Sequence, residues 1–354
     1  MRKAMYLWLT ASGLCATLLL CGLPPLSEPV SAKEKTAEEK AADSGSDRFM
    51  RVTFDDKDLP VSMDTAIVRY VSADNTRPDL VVDLIGAVHV GDQSYYDQLN
   101  TEFEGYDALL YELVAPRGTR IPKGGIKGAG TGSAVSQLQL LMKRVLALEF
   151  QLEQIDYTKD NFVHADMTPE QFSKSMKNLK EDPMVMFLRL MKASSEHQAK
   201  NKRPPPNDLV IMAAFFDRKR GPAVLKRIFA EQLSDADVLL EALNGPQGST
   251  LITERNKVAL DVLAEEIDAG KKRLGIFYGA AHLADMETRL VERFKLKRKE
   301  TKWVRAWDLK SPPKEEPKAK KPAADKPAGE KPGEKPAGEK PTEKPEAKAE
   351  KTAK

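Results

Sequence analysis

The chain has 354 residues, 31% charged, 41% hydrophobic and only 6% aromatic, with a formal net charge of +3. That charge belongs to the ends: residues 311–354 hold 12 Lys against 9 Asp/Glu, whereas residues 33–310 hold 42 basic and 43 acidic side chains. A near-neutral body gives no support for a nucleic-acid enzyme, and Cys15 and Cys21, both before residue 33, exclude a thiol nucleophile or a zinc–thiolate site in it.

Arg2 and Lys3 precede a mostly apolar run from Ala4 to Leu23, with Pro24 and Pro25 after it and Val30-Ser31-Ala32 as a cleavage point. This is the grammar of a secretory signal over residues 1–32, and it predicts an exported protein, periplasmic or extracellular. The run approaches the ~20 residues that span a bilayer, so an uncleaved N-terminal membrane anchor is the alternative. Residues 33–47 read as a solvated spacer, and residues 48–310 suffice for one large α/β domain.

Strands are expected at Phe49–Phe54 and Ala66–Val71, then over the nearly continuous apolar run Leu80–His89. Asp92 is placed to cap a helix carrying Tyr95, Tyr96, Leu99 and Phe103, and Ala108–Val114 forms the next buried strand. This β-α-β unit predicts that the two strands are parallel neighbours. A Gly-rich loop follows (Pro116–Ser133), then helical segments at Ala134–Glu149, Pro169–Asn178 behind a Thr168 cap, Met184–His197, Asp208–Asp217 and Ala223–Leu243. Residues 134–245 therefore read as a helical insertion or lid over the sheet. A helix over Leu251–Ala269, a strand over Arg273–Tyr278, a helix after His282 and a strand over Thr301–Trp307 complete the body. From Ser311 onward Lys-Pro recurs at steps of four or five, with no apolar residue larger than Ala apart from Pro. Such a tail cannot offset its ordering entropy and is expected to be a disordered spacer. A tether to cell-envelope polymers is its sharper reading.

Four histidines are available: His89, His164, His197 and His282. Gly86-Ala87-Val88-His89 and Gly279-Ala280-Ala281-His282 each end an apolar strand and precede a helix. Ligands of open α/β sheets bind at the carboxyl ends of strands, so two such imidazoles on neighbouring strands are placed to share a metal. Glu112 is a lone carboxylate in the strand LLYELV, and buried it requires a metal, an arginine or solvent. His89, Glu112 and His282 make a two-His, one-carboxylate set for a divalent ion, Mn, Co, Zn or Fe. Glu254-Arg255-Asn256 opens a helix; Arg255 can pair with Glu112 or hold a substrate oxygen. A structural Glu112–Arg255 ion pair remains the plainer alternative. His164 reads as structural, and His197 as a solvated helix-end residue.

LIGAVHVGDQSYYDQLN, YDALLYELV, LITERNKVAL and FYGAAHLADMETRL, in that order, resemble the TraB/PrgY/GumN family. Its superfamily includes the Tiki proteases and the erythromycin-esterase/ChaN-like proteins. The resemblance covers about Val81–Trp307. It implies an α/β fold with a central, mostly parallel sheet built from two related halves, each giving one Gly-x-x-His. For the Tiki branch it implies a divalent-metal peptidase. Block by block, His89, Glu112 and His282 fall on the metal positions; Glu112, Arg255 and Glu254 are the catalytic candidates, and Arg255 and Asn256 the substrate-binding ones. The expected activity is a metal-dependent hydrolase of peptides or other small extracytoplasmic substrates. A non-catalytic peptide-binding or sequestering protein on the same fold is the alternative.

Overall fold

The computed structural model describes residues 48–125, 145–200, 207–234 and 248–310. The expected signal, spacer and tail lie outside these residues, as do the later part of the Gly-rich loop and most of the Ala134–Glu149 helix. The end of the Ala223–Leu243 helix lies outside them too.

The chain opens with β1 (Met50–Phe54), β2 (Pro60–Ser72), β3 (Val81–Ala87), β4 (Val90–Gly91), α1 (Gln93–Phe103) and β5 (Ala108–Tyr111). Next come β6 (Glu149–Phe150), α2 (Gln151–Gln154), β7 (Phe162–His164), α3 (Pro169–Asn178), α4 (Pro183–Lys200), α5 (Asp208–Phe216) and α6 (Gly221–Ser234). A π-helical turn (Thr250–Glu254) leads into α7 (Arg255–Asp268), then β8 (Arg273–Gly279), a 3₁₀ turn (Ala280–His282), α8 (Leu283–Phe294) and β9 (Leu296–Asp308).

The protein is α/β, built on a seven-stranded sheet in the order β1-β2-β3-β8-β5-β7, with β9 along β2. The interior pairings β3–β8, β8–β5 and β5–β7 are parallel, and β2 joins β1, β3 and β9 antiparallel. Strand alternation divides the core. Ile85, Leu109, Tyr111 and Phe277 face α1, with Trp307 and Leu225 of α6 in the same cluster. Leu84, Leu110, Ile276 and Tyr278 face the apolar stripes of α7 and α8.

Three departures from the expected fold matter for the site. β3 and β5 are not neighbours, because β8 inserts between them and pairs with both; local sequence cannot see a strand that arrives some 160 residues later. The middle stretch is largely helical as expected, yet it also supplies β7, which pairs with β5 through Leu109↔Phe162 to Tyr111↔His164. Three residues are too few to show a period in sequence. Asp92 occupies the α1 N-cap position without a side-chain cap bond. Its carboxylate instead accepts from Lys226 Nζ and from the Asp308 backbone N–H, tying α6 and β9 to the sheet end. Thr168 does cap α3, in a reciprocal box with Gln171.

Trp307 is fully buried and donates its indole N–H to Val90 O at 2.8 Å, joining β9 to the turn that carries His89. Trp307→Ala is expected to cost about 3–5 kcal/mol through cavity and lost burial, read as a lower urea midpoint at unchanged slope.

Candidate functional site

The cluster forms where β3, β5, β7 and β8 end at their carboxyl termini. Alternation along β5 sends Leu110 to the α7–α8 side and Tyr111 to the α1 side, so the next residue, Glu112, is returned to the α7 side. There α7 begins with Arg255, buried to 3% exposure. Arg255 donates Nη2–H to Glu112 Oε1 at 2.7 Å. It also donates Nε–H and Nη2–H to the two oxygens of Asp166, at 3.0 and 2.6 Å. Its remaining nitrogen, Nη1, makes only long contacts, 3.4 Å to Leu251 O and 3.5 Å to His282 Nε2. Glu112 Oε2 accepts the Gly279 backbone N–H at 2.7 Å. Neither motif glycine has positive φ. They serve close approach: a Cβ on Gly86 would stand 3.3 Å from Ala66 O, and one on Gly279 would stand 3.4 Å from Glu112 Oε2.

His282 is held from behind. The Asn256 amide donates to His282 O at 3.0 Å and to Asp285 Oδ2 at 2.8 Å, and both partners accept only. Its Oδ1 must therefore be the atom 2.7 Å from His282 Nδ1, so Nδ1 carries the proton and Nε2 presents its lone pair. Nε2 lies 3.7 Å from Glu112 Oε1. His89 has a matching support on the α1 side. Its Nδ1 is 3.2 Å from Gln151 Oε1, and the Gln151 amide donates to Tyr157 OH at 2.9 Å.

Charge states follow from this packing. Burial raises the Glu112 carboxyl, but Arg255 foremost, then the imidazoles and the Gly279 N–H, outweigh it and hold the group well below the usual carboxylate range. Burial likewise disfavours the Arg255 cation, and Asp166 and Glu112 more than compensate. Burial dominates at His282 and lowers it to about 4, against the opposing pull of Glu112. At neutral pH the buried centre thus holds two carboxylates, one guanidinium and a neutral imidazole, with one negative charge uncompensated.

Among the described residues, no group of three or more His, Cys, Asp or Glu side chains is arranged to hold a metal ion. The donor chemistry nevertheless fits a divalent cation: an uncompensated carboxylate charge, an imidazole whose Nε2 lone pair meets only a long contact from Arg255, and amide carbonyls behind each ring.

The sequence reading put His89, Glu112 and His282 in one metal set with Arg255 and Asn256 nearby; the structure brings Glu112, Arg255, Asn256 and His282 into contact, and His89 contacts Gln151 on the α1 side. Asn256 is fully buried and spends its amide on His282 and Asp285. Glu254 stands apart, its carboxylate accepting from Lys257 Nζ at the surface. His164 is structural: its Nε2–H donates to Leu113 O at 2.6 Å. The side chain of His197 lies outside the described residues. Asp166, which sequence reading did not single out for the site, is the member it missed. Its available signal was the short β-rich Phe162-Val163-His164 two residues before it. Compared with family models, curated proteins and solved structures, the chain matches none.

Asp166→Ala would leave a buried guanidinium with one partner, and is expected to destabilise by about 3–5 kcal/mol in chemical unfolding. The pH response has a definite sign. An imidazole that titrates near 6.5 unfolded and near 4 folded gives stability present above the first value and lost as pH falls towards the second. The loss is about 3 kcal/mol. His282→Gln should flatten that slope in chelator-treated protein. Glu112, depressed, contributes above its unfolded value near ~4.3, and that contribution is lost only as pH falls below it.

Proposed function

We propose that this chain is an exported metal-dependent hydrolase, acting on peptides or similar small extracytoplasmic substrates at the cluster around Glu112, His282 and His89. The observation that supports it most is the buried, negatively unbalanced centre at the carboxyl ends of parallel strands, with an imidazole fixed to present Nε2. The four sequence blocks resembling the TraB/PrgY/GumN family, whose superfamily includes the Tiki proteases, support the peptide class.

His89, Glu112 and His282 would hold the ion. Bound there, a divalent cation supplies polarisation of a carbonyl oxygen and a water acidic enough to act near neutral pH. The chain's own groups define the rest. Arg255 keeps Glu112 ionised and aimed, which suits a ligand better than a general base, because a carboxyl held so far down has little affinity for a proton. Asn256 and Gln151 set the two imidazoles, as positioning residues. Arg255 Nη1, with only long contacts, is the donor free to turn towards a developing oxyanion. Glu254, paired with Lys257, has no part in this scheme.

A second reading, a non-catalytic peptide-binding protein, draws support from the mutual satisfaction of Glu112 and Arg255. Metal content decides between them, measured on the purified chain after chelation and reloading with Mn, Co, Zn or Fe, alongside cleavage of a mixed peptide library. The hydrolase reading expects one ion per chain and a loss of about 10²-fold or more in turnover for Glu112→Gln. Gln151→Leu should weaken metal affinity by about 10–100-fold. Stoichiometric peptide binding with no cleavage, unaffected by His282→Ala, would sink the catalytic reading.

A further inference from the structure

The helical hairpin α5–α6 is far from ordinary in its surface. α6 packs on β1 and β2 and is tied down by Lys226 on Asp92 and by Arg227 Nε–H donating to Leu309 O. α5 rests on α6 through Ala214, so closely that a Cβ on Gly221 would fall 1.9 Å from Ala214 O. After Asp208 at its first position, every residue of α5 from Leu209 to Phe216 is apolar. Leu209 is 73% exposed and Phe216 83%, with Val210, Met212 and Phe215 also exposed. Contiguous exposed apolar side chains at this density on a folded chain mark a docking surface.

Charge names the partner. Residues 200–220 carry Lys200, Lys202, Arg203, Arg218, Lys219 and Arg220 against Asp208 and Asp217 alone. That is +4 in 21 residues of a body whose total is near neutral. Asp217, moreover, is turned inward on its own turn, its Oδ1 accepting from the backbone N–H groups of Lys219 and Arg220. Arg218, Lys219 and Arg220 are exposed at the end of α5. An apolar helix bordered by basic side chains matches a lipid surface, with apolar side chains entering the acyl boundary and cations meeting anionic headgroups. An acidic soluble protein would satisfy the charges and leave Phe216 and Leu209 in water. We infer that α5 docks the folded body onto an anionic lipid bilayer, lying in the interface and not across it. Nine residues, about 13 Å of helix, are too short to span, and no helix among the described residues is long and apolar enough to cross a membrane.

The test uses the full chain with Phe216→Trp, read as a difference from wild type so that Trp8, Trp303 and Trp307 cancel. Vesicles are phosphatidylcholine with or without one-third phosphatidylglycerol, each also made with brominated acyl chains. The expected result is that the added emission moves to shorter wavelength on phosphatidylglycerol vesicles and loses more than half its intensity to brominated chains. With Arg218→Glu, Lys219→Glu and Arg220→Glu together, the lipid needed for half the shift should rise at least about tenfold. Leu209→Trp, at the other end of the helix, should repeat the result. Added emission that no vesicle moves overturns the inference, as does a shift indifferent to phosphatidylglycerol and to the charge reversal. Emission already short without lipid also overturns it, meaning a second copy on the helix where it depends on protein concentration and a segment of the same chain where it does not.

Discussion

A single buried guanidinium holds the working end of this protein together. Arg255 joins Glu112 after β5, Asp166 after β7 and, through its long Nη1 contact, His282 after β8. Ion pairs at the surface are worth little, but a desolvated arginine between two carboxylates is coupled strongly to both, and loss of any partner leaves a charge stranded in a low-dielectric interior. The same arrangement has a chemical consequence. Two carboxylates against one cation leave a negative excess that a neutral His282 does not relieve, so the centre is poised for a further positive charge. Structural cement and candidate chemistry are therefore the same set of atoms.

The sheet order explains how residues so distant in sequence meet. β8 lies between β3 and β5, with Ala87 paired to Gly279 and Tyr111 to Phe277. This sets the turn bearing His282 between the one bearing His89 and the one bearing Glu112. Both motif glycines let backbone approach closely: Gly86 under the carbonyl of Ala66, Gly279 against the Glu112 carboxylate. The two rings are then fixed from opposite sides of the sheet, His282 by Asn256 of α7 and His89 by Gln151 at the start of α2. An amide is a suitable support, since its own donors, occupied elsewhere, settle which ring nitrogen carries the proton.

Much of this was legible from residue order. The second Gly-x-x-His, the lone Glu112 in an apolar strand and the Arg255-Asn256 pair at a helix start stand in the cluster, and the first Gly-x-x-His sets His89 against Gln151 beside it. Each violates a local pattern, a charge or an imidazole at the edge of an apolar run, and such violations are visible in one dimension. The failures have a common cause. Asp92 was read as a cap because Asp before a helix usually is one, yet Lys226 and the Asp308 N–H, over 130 residues away, compete successfully for its carboxylate. Asp166 was passed over because its partner, Arg255, lies 89 residues away. Glu254, adjacent to Arg255 in sequence, points to Lys257, because neighbours on a helix diverge by about 100°.

Sequence alone therefore determined the α/β class, the near-neutral, thiol-free body and the residue types from which a site could be made, because composition, period and local charge are properties of short stretches. Only the tertiary structure decided which carboxylate meets which cation and which ring nitrogen is bare. It also placed the late strand β8 at the centre of the sheet. Those outcomes depend on pairings between segments one to two hundred residues apart, where desolvated ion pairs and backbone approach of a few tenths of an ångström outweigh any local preference.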